Sequence, residues 1–158
     1  MTRRHLLTGA LCGIAAAALW HWGAGEAEAA YPFELSDQEW RRRLSPLAYR
    51  ILRHAATEQP FTSPLNTEHR KGVFSCAGCG QPLFGSATKF DSGTGWPSFW
   101  KPLARAVGTS RDFTLGYPRT EVHCARCGGH LGHVFDDGPP PTGKRYCMNG
   151  AALSFAPV

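Results

Sequence analysis

Two pairs of cysteines with the spacing C-x-x-C constrain the fold of this chain more than any other feature. The pairs are Cys76–Cys79 and Cys124–Cys127, and a glycine follows each one, which frees the backbone to turn its amide groups toward the sulfurs. Four thiolates arranged in such pairs form a closed tetrahedral site for Zn²⁺. Because the pairs are far apart in the sequence, the metal would clamp two distant hairpins together. We therefore predict a structural zinc site.

Other uses of these four cysteines remain open. They could form two disulfides or a thioredoxin-like redox pair, since an exported protein meets an oxidising compartment. We favour zinc because the pattern occurs twice and no strand-helix-strand pattern surrounds either pair. A metal would also stabilise a domain that is too small to depend on its core alone.

The pattern of apolar residues predicts a mainly β domain behind two short helices. Ser36–Glu39 has the form of a capping box and predicts a helix over 37–44. Pro46 favours the start of a second helix, over 46–56, because proline suits the first helical position. Short apolar runs separated by glycine and proline then predict strands, among them 73–74, 82–84, 113–115, 120–123 and 152–155.

The first 29 residues predict an export signal rather than a part of the fold. Arg3 and Arg4 precede a weakly hydrophobic run over 6–20, and residues 27–29 form an A-x-A cleavage site. Adjacent arginines resemble the twin-arginine type of signal. We therefore expect one mature domain over 30–158, located in the periplasm. An uncleaved membrane anchor is the alternative, although the apolar run is short for a bilayer span.

The distribution of charge argues against a nucleic-acid partner. The chain has 17 Lys and Arg residues against 12 Asp and Glu residues, which gives a formal net charge of +5. Nucleic-acid binders place such an excess in stripes between aromatic residues. Here the densest basic cluster, 41–43, lies on a predicted helix and is interpreted as a solvated face. We predict no nucleic-acid partner.

Cys147 is the one cysteine of residues 30–158 that belongs to neither C-x-x-C pair. Six cysteines are present, and five remain once the signal with Cys12 is removed, so one has no partner under any pairing. A lone cysteine is most often an inert buried residue. In an extended segment, however, Arg145, Cys147 and Asn149 point to one side, where a cation favours the thiolate and an amide can hydrogen-bond to it. We therefore predict that Cys147 is a nucleophile.

Two histidines and a tryptophan complete the set of candidate site residues. His130 and His133 follow the second cysteine pair in a glycine-rich segment. They could be zinc ligands, but four thiolates already complete that site, so we predict that they donate protons. A structural role for one of them is the alternative. Trp96 lies in an aromatic, turn-prone segment, where it could fill the core or form the wall of a pocket for a small apolar group.

Four segments of the chain resemble the methionine-R-sulfoxide reductases of the B type. They read C-A-G-C, S-G-T-G-W-P-S-F, H-C-A-R-C-G-G-H-L-G-H-V-F-D-D-G-P and R-Y-C-M-N-G, in the family's order, and the resemblance covers roughly Leu35 to Phe155. It implies two antiparallel sheets that form a small barrel-like domain, with N-terminal helices and a structural zinc on the far side from the catalytic cysteine. The implied activity is reduction of the R epimer of methionine sulfoxide, peptide-bound or free, in the repair of oxidative damage.

The resemblance also implies how a substrate would be held. Trp96 is similar to the residue that forms the wall around the substrate methyl group. His130 and His133 resemble the pair that orients and protonates the sulfoxide oxygen, and Asn149 resembles the amide that polarises the bond. Donors on the oxygen and a thiolate at the sulfur would stabilise charge as it shifts during the reaction.

By the same resemblance, Cys147 attacks the sulfoxide sulfur and becomes a sulfenic acid, with Arg145 favouring its thiolate. Many family members carry a resolving cysteine where this chain has Thr94. Since the other cysteines of 30–158 belong to the zinc pairs, we predict reduction by an external thiol or a thioredoxin-like protein, unless a zinc cysteine is recruited. The expected partners are this reductant and oxidised proteins or peptides, and we expect a monomer.

Two other functions remain open at this point. A small zinc-binding β domain can also serve as a non-catalytic interaction module. Alternatively, the cysteine pairs could make the protein a general thiol-disulfide oxidoreductase, which four sulfurs on zinc would exclude. Replacing Cys147 would abolish reductase activity but leave an interaction module unchanged.

Overall fold

The computed structural model describes residues 31–158, which form two α-helices followed by nine β-strands. The predicted export signal, residues 1–29, lies outside the described residues. Within 31–158, no helix has both the length and the apolar character needed to span a bilayer.

Both predicted helices are confirmed. Helix α1 spans Asp37–Arg43 and helix α2 spans Pro46–His54. The Ser36 side chain accepts the N–H of Glu39, whose side chain accepts the N–H of Ser36, so the predicted capping box is present. Helix α1 ends one residue before its predicted end, at Arg43. Helix α2 ends two residues before its predicted end, because Ala55 adopts a left-handed φ of 49°.

The strands form two antiparallel sheets, as predicted. The smaller sheet has the order β2-β1-β9, and the larger has the order β3-β4-β8-β7-β6-β5. The strand bounds are β1 Gly72–Cys76, β2 Pro82–Gly85, β3 Lys89–Phe90, β4 Ser98–Phe99, β5 Val107–Asp112, β6 Arg119–Cys124, β7 His130–Phe135, β8 Arg145–Met148 and β9 Leu153–Pro157.

The expected barrel does not close in the described part of the chain. A barrel requires the outermost strands of a sheet to pair with each other. Here the larger sheet ends at β3 on one side and at β5 on the other, and these two strands are not paired. Strand β3 has only two residues, which is too short to continue the sheet. The domain is therefore a pair of open sheets.

The predicted strand over 113–115 is wrong, because these residues form the turn between β5 and β6. The Asp112 side chain accepts the N–H of Thr114 at 2.8 Å, a local bond that competes with strand pairing. Gly116 then adopts a φ of +80°, which glycine tolerates and most other residues do not. The apolar side chains of this turn are consequently exposed.

Three phenylalanines join the two sheets. Phe74 on β1 and Phe84 on β2 pack against Phe99 on β4, with ring centroids 5.0 and 4.4 Å apart, and all three are fully buried. Strand β4 pairs with β8, and α2 packs on β7. The core therefore fixes the two adjacent strands that carry the predicted histidines and the predicted nucleophile.

Candidate active site and zinc centre

The four paired cysteines converge in one buried cluster. Cys76 and Cys79 lie at the end of β1 and in the turn after it, and Cys124 and Cys127 lie at the equivalent place after β6. All four Sγ atoms lie within 4.8 Å of one another, with Cys76 and Cys127 3.8 Å apart and Cys79 and Cys124 3.5 Å apart. A tetrahedral Zn²⁺ with Zn–S bonds of about 2.3 Å requires sulfurs about 3.8 Å apart. The cluster fits the metal and is a structural zinc site without histidine ligands.

The two helices hold the cysteine turns in place. Arg43 of α1 donates to the carbonyl of Gly78 at 2.6 Å, and Arg53 of α2 donates to the carbonyl of Cys127 at 3.1 Å. Hydrogen bonds with the neighbouring thiols, together with burial, raise the pKa of Cys76 and of Cys127. Hydrogen bonds with the neighbouring thiols lower the pKa of Cys79 and of Cys124. A divalent cation at the centre would favour the deprotonated form of all four sulfurs.

A separate cavity of about 120 Å³ collects most of the predicted catalytic residues. His133 on β7 lies directly opposite Cys147 on β8, and opposite residues of antiparallel strands project to the same side. His130 and Arg145 lie outside the lining of this cavity. The lining residues are Thr57, Trp96, Arg119, Gly132, His133, Phe135, Cys147 and Asn149.

Hydroxyl groups surround the Cys147 sulfur. Thr94 Oγ1 lies 3.8 Å from Cys147 Sγ, and Ser98 is paired with Cys147 across β4 and β8. Burial raises the pKa of Cys147, and hydrogen bonding to Thr94 and the charge of Arg145 offset only part of this effect. The resting residue is therefore a thiol that needs a proton acceptor before it can attack.

Arg145 acts on Cys147 through its charge. Its guanidinium donates to both carboxylate oxygens of Asp137, at 2.9 and 2.8 Å, and lies 4.5 Å above the centre of the Phe135 ring. These contacts hold the cation on one side of β8, where it favours the thiolate form of Cys147. Asp137 was not singled out from the sequence.

His133 belongs to a buried charged network. Its Nε2 lies 2.7 Å from Asp112 Oδ2, the oxygen that also accepts from Arg119 Nη2 at 2.5 Å. Burial lowers the pKa of His133, although the Asp112 carboxylate opposes this effect. Hydrogen bonds from Thr114 and from His133 hold the pKa of Asp112 well below its usual range. The histidine is therefore neutral around neutral pH, and its Nε2–H donates to a carboxylate.

His130 lies beside this network. Its Nδ1 is 2.7 Å from Glu121 Oε1, its Nε2 is buried without a hydrogen-bond partner, and its ring centre is 5.4 Å from that of His133. Burial opposes ionisation of Glu121, but hydrogen bonds from Ser110 and His130 outweigh it and lower the pKa of this carboxyl group. His130 lines a neighbouring cavity of about 390 Å³ rather than the cavity of Cys147.

Glu58 positions two of the predicted site residues, although no sequence pattern marked it. Its backbone N–H donates to Asn149 Oδ1 at 3.0 Å, and its carbonyl accepts from Trp96 Nε1 at 3.2 Å. Its buried side chain accepts the N–H groups of Gly150 at 2.5 Å and Ala151 at 2.9 Å. Glu58 therefore ties the loop after α2 to the segment that follows Cys147.

Two carboxylates that contact the histidines were likewise not identified from the sequence. Asp112 lies at the end of β5, where the sequence predicted no strand. Glu121 lies on the predicted strand and is paired with His133 across β6 and β7. Because no strand was predicted over His130–Phe135, the pairing that brings Glu121 to the histidines was visible only in the structure, and Asp112 required the turn geometry.

Comparisons with known proteins agree with this arrangement. The SelR domain family matches residues 44–157 of the chain. A relative from Agrobacterium fabrum, named peptide methionine sulfoxide reductase MsrB, is 56% identical over 124 residues, which is 78% of this chain and 92% of the relative. Proteins of the same name from Thiobacillus denitrificans and Leifsonia xyli are 58% and 56% identical over 77% and 85% of this chain, and over 93% and 96% of their own lengths.

The matched segment includes both cysteine pairs, both histidines and Cys147. The match covers well over half of the chain, and the relatives are covered almost from end to end. The chain therefore belongs to the SelR-domain family of peptide methionine sulfoxide reductases.

Proposed function

We propose that this protein reduces the R epimer of methionine sulfoxide in oxidised polypeptides, with Cys147 as the nucleophile. The observation that carries the proposal is the cavity in which Cys147, His133, Asn149 and Trp96 meet, in a chain that belongs to this family. A thiol, a proton carrier, an amide and an apolar wall are the groups that a methyl sulfoxide requires. Zinc has no part in the chemistry and holds the scaffold.

His133 moves the proton of the reaction. With Nε2–H donating to Asp112, the neutral ring keeps a lone pair on Nδ1. That nitrogen takes the proton of the Cys147 thiol across the β7–β8 pair, and Asp112 stabilises the imidazolium that results. The imidazolium then gives the proton to the sulfoxide oxygen as negative charge develops there.

The electrons balance between the two sulfurs. The Cys147 thiolate attacks the sulfoxide sulfur and forms a sulfur-sulfur bond to it. The sulfur-oxygen bond of the substrate then breaks as the protonated oxygen moves to Cys147, and the sulfur-sulfur bond breaks with its electron pair remaining on the substrate, which leaves methionine and a sulfenic acid on Cys147. Methionine is reduced by two electrons and Cys147 is oxidised by two. Trp96 holds the methyl group, and the Asn149 amide, fixed by Glu58 and by the carbonyl of Leu131, polarises the bond.

The sulfenic acid is reduced from outside the molecule. Thr94 occupies the place next to Cys147 where a resolving thiol would act. Two equivalents of an external thiol, or one thioredoxin-like dithiol, return Cys147 to the thiol and release water. Mass spectrometry after one turnover without reductant tests this step: one added oxygen, trapped by a sulfenic-acid reagent, is expected, and an internal disulfide at Cys147 would refute it.

The decisive experiment uses separated R and S epimers of a methionine sulfoxide peptide with excess dithiothreitol. The zinc-replete wild type should consume only the R epimer, and Cys147→Ser should consume neither while retaining its zinc by elemental analysis. If the wild type leaves both epimers intact, the proposal is refuted. The non-catalytic zinc module is not favoured, because the relatives over most of the chain carry reductase names.

We further propose that residues 1–29 direct export to the periplasm and that the mature protein acts as a monomer. The adjacent Arg3 and Arg4 support the twin-arginine route. Cell fractionation should find the protein in the periplasm with an N-terminus near Ala30, and the Arg3→Lys/Arg4→Lys variant should remain inside the cell. Sedimentation of the exported protein should give the mass of one chain.

A further inference from the structure

Three large apolar side chains are exposed at the tip of the β5–β6 hairpin. Phe113, Leu115 and Tyr117 are 59%, 57% and 55% exposed, and we call this group the apolar tip. The turn that carries them is ordered by Asp112, which accepts the N–H of Thr114, and by the bond from Gly116 N–H to the Phe113 carbonyl at 2.9 Å. The largest exposed apolar group on a monomeric protein is often a binding site.

The apolar tip lies beside a cavity that adjoins the Cys147 cavity. Phe113 and Thr114 line the neighbouring cavity of about 390 Å³, which shares Arg119 and His133 with the cavity of Cys147. The root of the turn, Asp112, binds both of these shared residues. Two adjoining cavities therefore lie between the nucleophile and Phe113 of the apolar tip, with His133 in the lining of both.

The small size of the Cys147 cavity requires the remainder of a substrate to lie outside it. A space of about 120 Å³ holds little more than the end of one side chain. An extended polypeptide advances about 3.3 Å per residue, so the residues that flank an inserted methionine sulfoxide pass over the surface within a few residues' reach. The adjoining cavity, which Phe113 lines, offers such a path.

The occupant that fits this surface is a short extended peptide. Partly exposed Phe, Leu and Tyr side chains offer roughly 300 Å² of apolar surface in total, well below the roughly 800 Å² that each partner contributes to a stable protein interface. A second copy of the chain would therefore gain too little contact. A peptide with a few apolar residues can be bound by an apolar surface of this size.

We propose, on the basis of the proposed function, that the apolar tip binds apolar residues flanking the oxidised methionine, so that the enzyme prefers sulfoxides whose neighbours in the peptide are apolar. The apolar tip thus determines specificity and takes no part in the chemistry.

The test compares three R-sulfoxide substrates with the full, zinc-replete protein: a peptide with Leu and Val beside the sulfoxide, a peptide with Ser and Gly there, and N-acetylmethionine sulfoxide. In the Phe113→Ser/Leu115→Ser/Tyr117→Ser variant, the ratio of kcat/KM for the apolar peptide to that for the acetylated amino acid should fall on the order of tenfold, through KM. The same ratio for the polar peptide should change less than about twofold.

The matched control removes exposed apolar side chains elsewhere. Leu103 and Val158 are 39% and 80% exposed and line neither cavity, so Leu103→Ser/Val158→Ser should leave all three kcat/KM values unchanged. Equal losses on every substrate in the apolar-tip variant would overturn the proposal, because they would show an effect through Asp112 and His133. No change on any substrate would overturn it as well.

Two further measurements test whether the apolar tip instead contacts a lipid surface or a second copy of the chain. If the apolar-tip variant loses binding to phosphatidylcholine vesicles while peptide selectivity is unchanged, the surface meets lipid and the proposal is wrong. If it loses a dimer in sedimentation with selectivity unchanged, the surface meets a second copy and the proposal is equally wrong. Absence of turnover of all three substrates by the wild type would instead refute the proposed function itself.

Discussion

Replacing Glu58 with glutamine should destabilise the protein by an amount that follows from its hydrogen bonds. The Glu58 side chain is buried and accepts the N–H groups of Gly150 and Ala151. Glutamine keeps one acceptor oxygen and turns an NH₂ group toward the other N–H, which then has no acceptor. A hydrogen bond to a charged group contributes about 1.5–3 kcal/mol, and a buried unsatisfied donor costs about 1–3 kcal/mol. We therefore expect Glu58→Gln to lower the free energy of unfolding by about 3 kcal/mol.

The same substitution should reduce activity, because the segment that it disturbs directly follows Cys147 and carries Asn149. Urea unfolding of the zinc-replete protein gives the stability, and kcat/KM with a methionine sulfoxide peptide at low temperature gives the activity of the folded fraction. Glu34→Gln is the matched control, since this exposed carboxylate accepts one N–H, from Tyr31 at 3.2 Å, and its loss should change stability by less than about 0.5 kcal/mol. A change in Glu58→Gln as small as that of the control would refute the assigned role of the buried carboxylate.

Three further predictions follow from the charged groups and the metal. Arg145→Leu removes a cation that lowers the pKa of Cys147, so the pH at which iodoacetamide reacts at half its maximal rate should move upward; an unchanged profile would contradict the electrostatic role. Asp112→Asn presents an amide N–H to His133 Nε2 and thereby favours the Nδ1–H tautomer, so kcat should fall on the order of a hundredfold. The exposed Asp136→Asn should leave kcat unchanged. Chelation of zinc should remove stability comparable to the whole free energy of folding, about 5–15 kcal/mol, and abolish the cooperative unfolding transition in circular dichroism.

Features that depend on local spacing could be predicted from the sequence. The capping box at Ser36 and the proline at the start of α2 placed both helices to within two residues. The two C-x-x-C pairs predicted the zinc cluster because ligand type and spacing alone define such a site. The barrel-like arrangement that the family resemblance implied does not close within residues 31–158, because closure would require β3 to pair with β5, and no local pattern reports on such long-range pairing.

Features that depend on contacts between distant segments could not be predicted. Glu58 is separated from Gly150 by most of the domain, and an isolated glutamate in a loop carries no signal of burial. Asp112 directly precedes residues 113–115, which were wrongly predicted as a strand, whereas in the structure it organises a turn and contacts His133 in the candidate site. The candidate reactive residues were predicted from their chemistry and from the family resemblance, whereas the residues that contact them were visible only once the sheets were assembled.

The side chain 3.8 Å from Cys147 is the hydroxyl of Thr94 rather than a second thiol, and the cavity around Cys147 measures only about 120 Å³. Under the proposed reduction by an external thiol, oxidised polypeptide and reductant must reach the same sulfur in succession, and each excludes the other while it is bound. Each therefore acts as a competitive inhibitor of the other's half-reaction, so raising the peptide concentration at fixed reductant should first accelerate turnover and then slow it. The throughput of repair would depend on the ratio of damaged protein to reducing thiol rather than on the amount of either one.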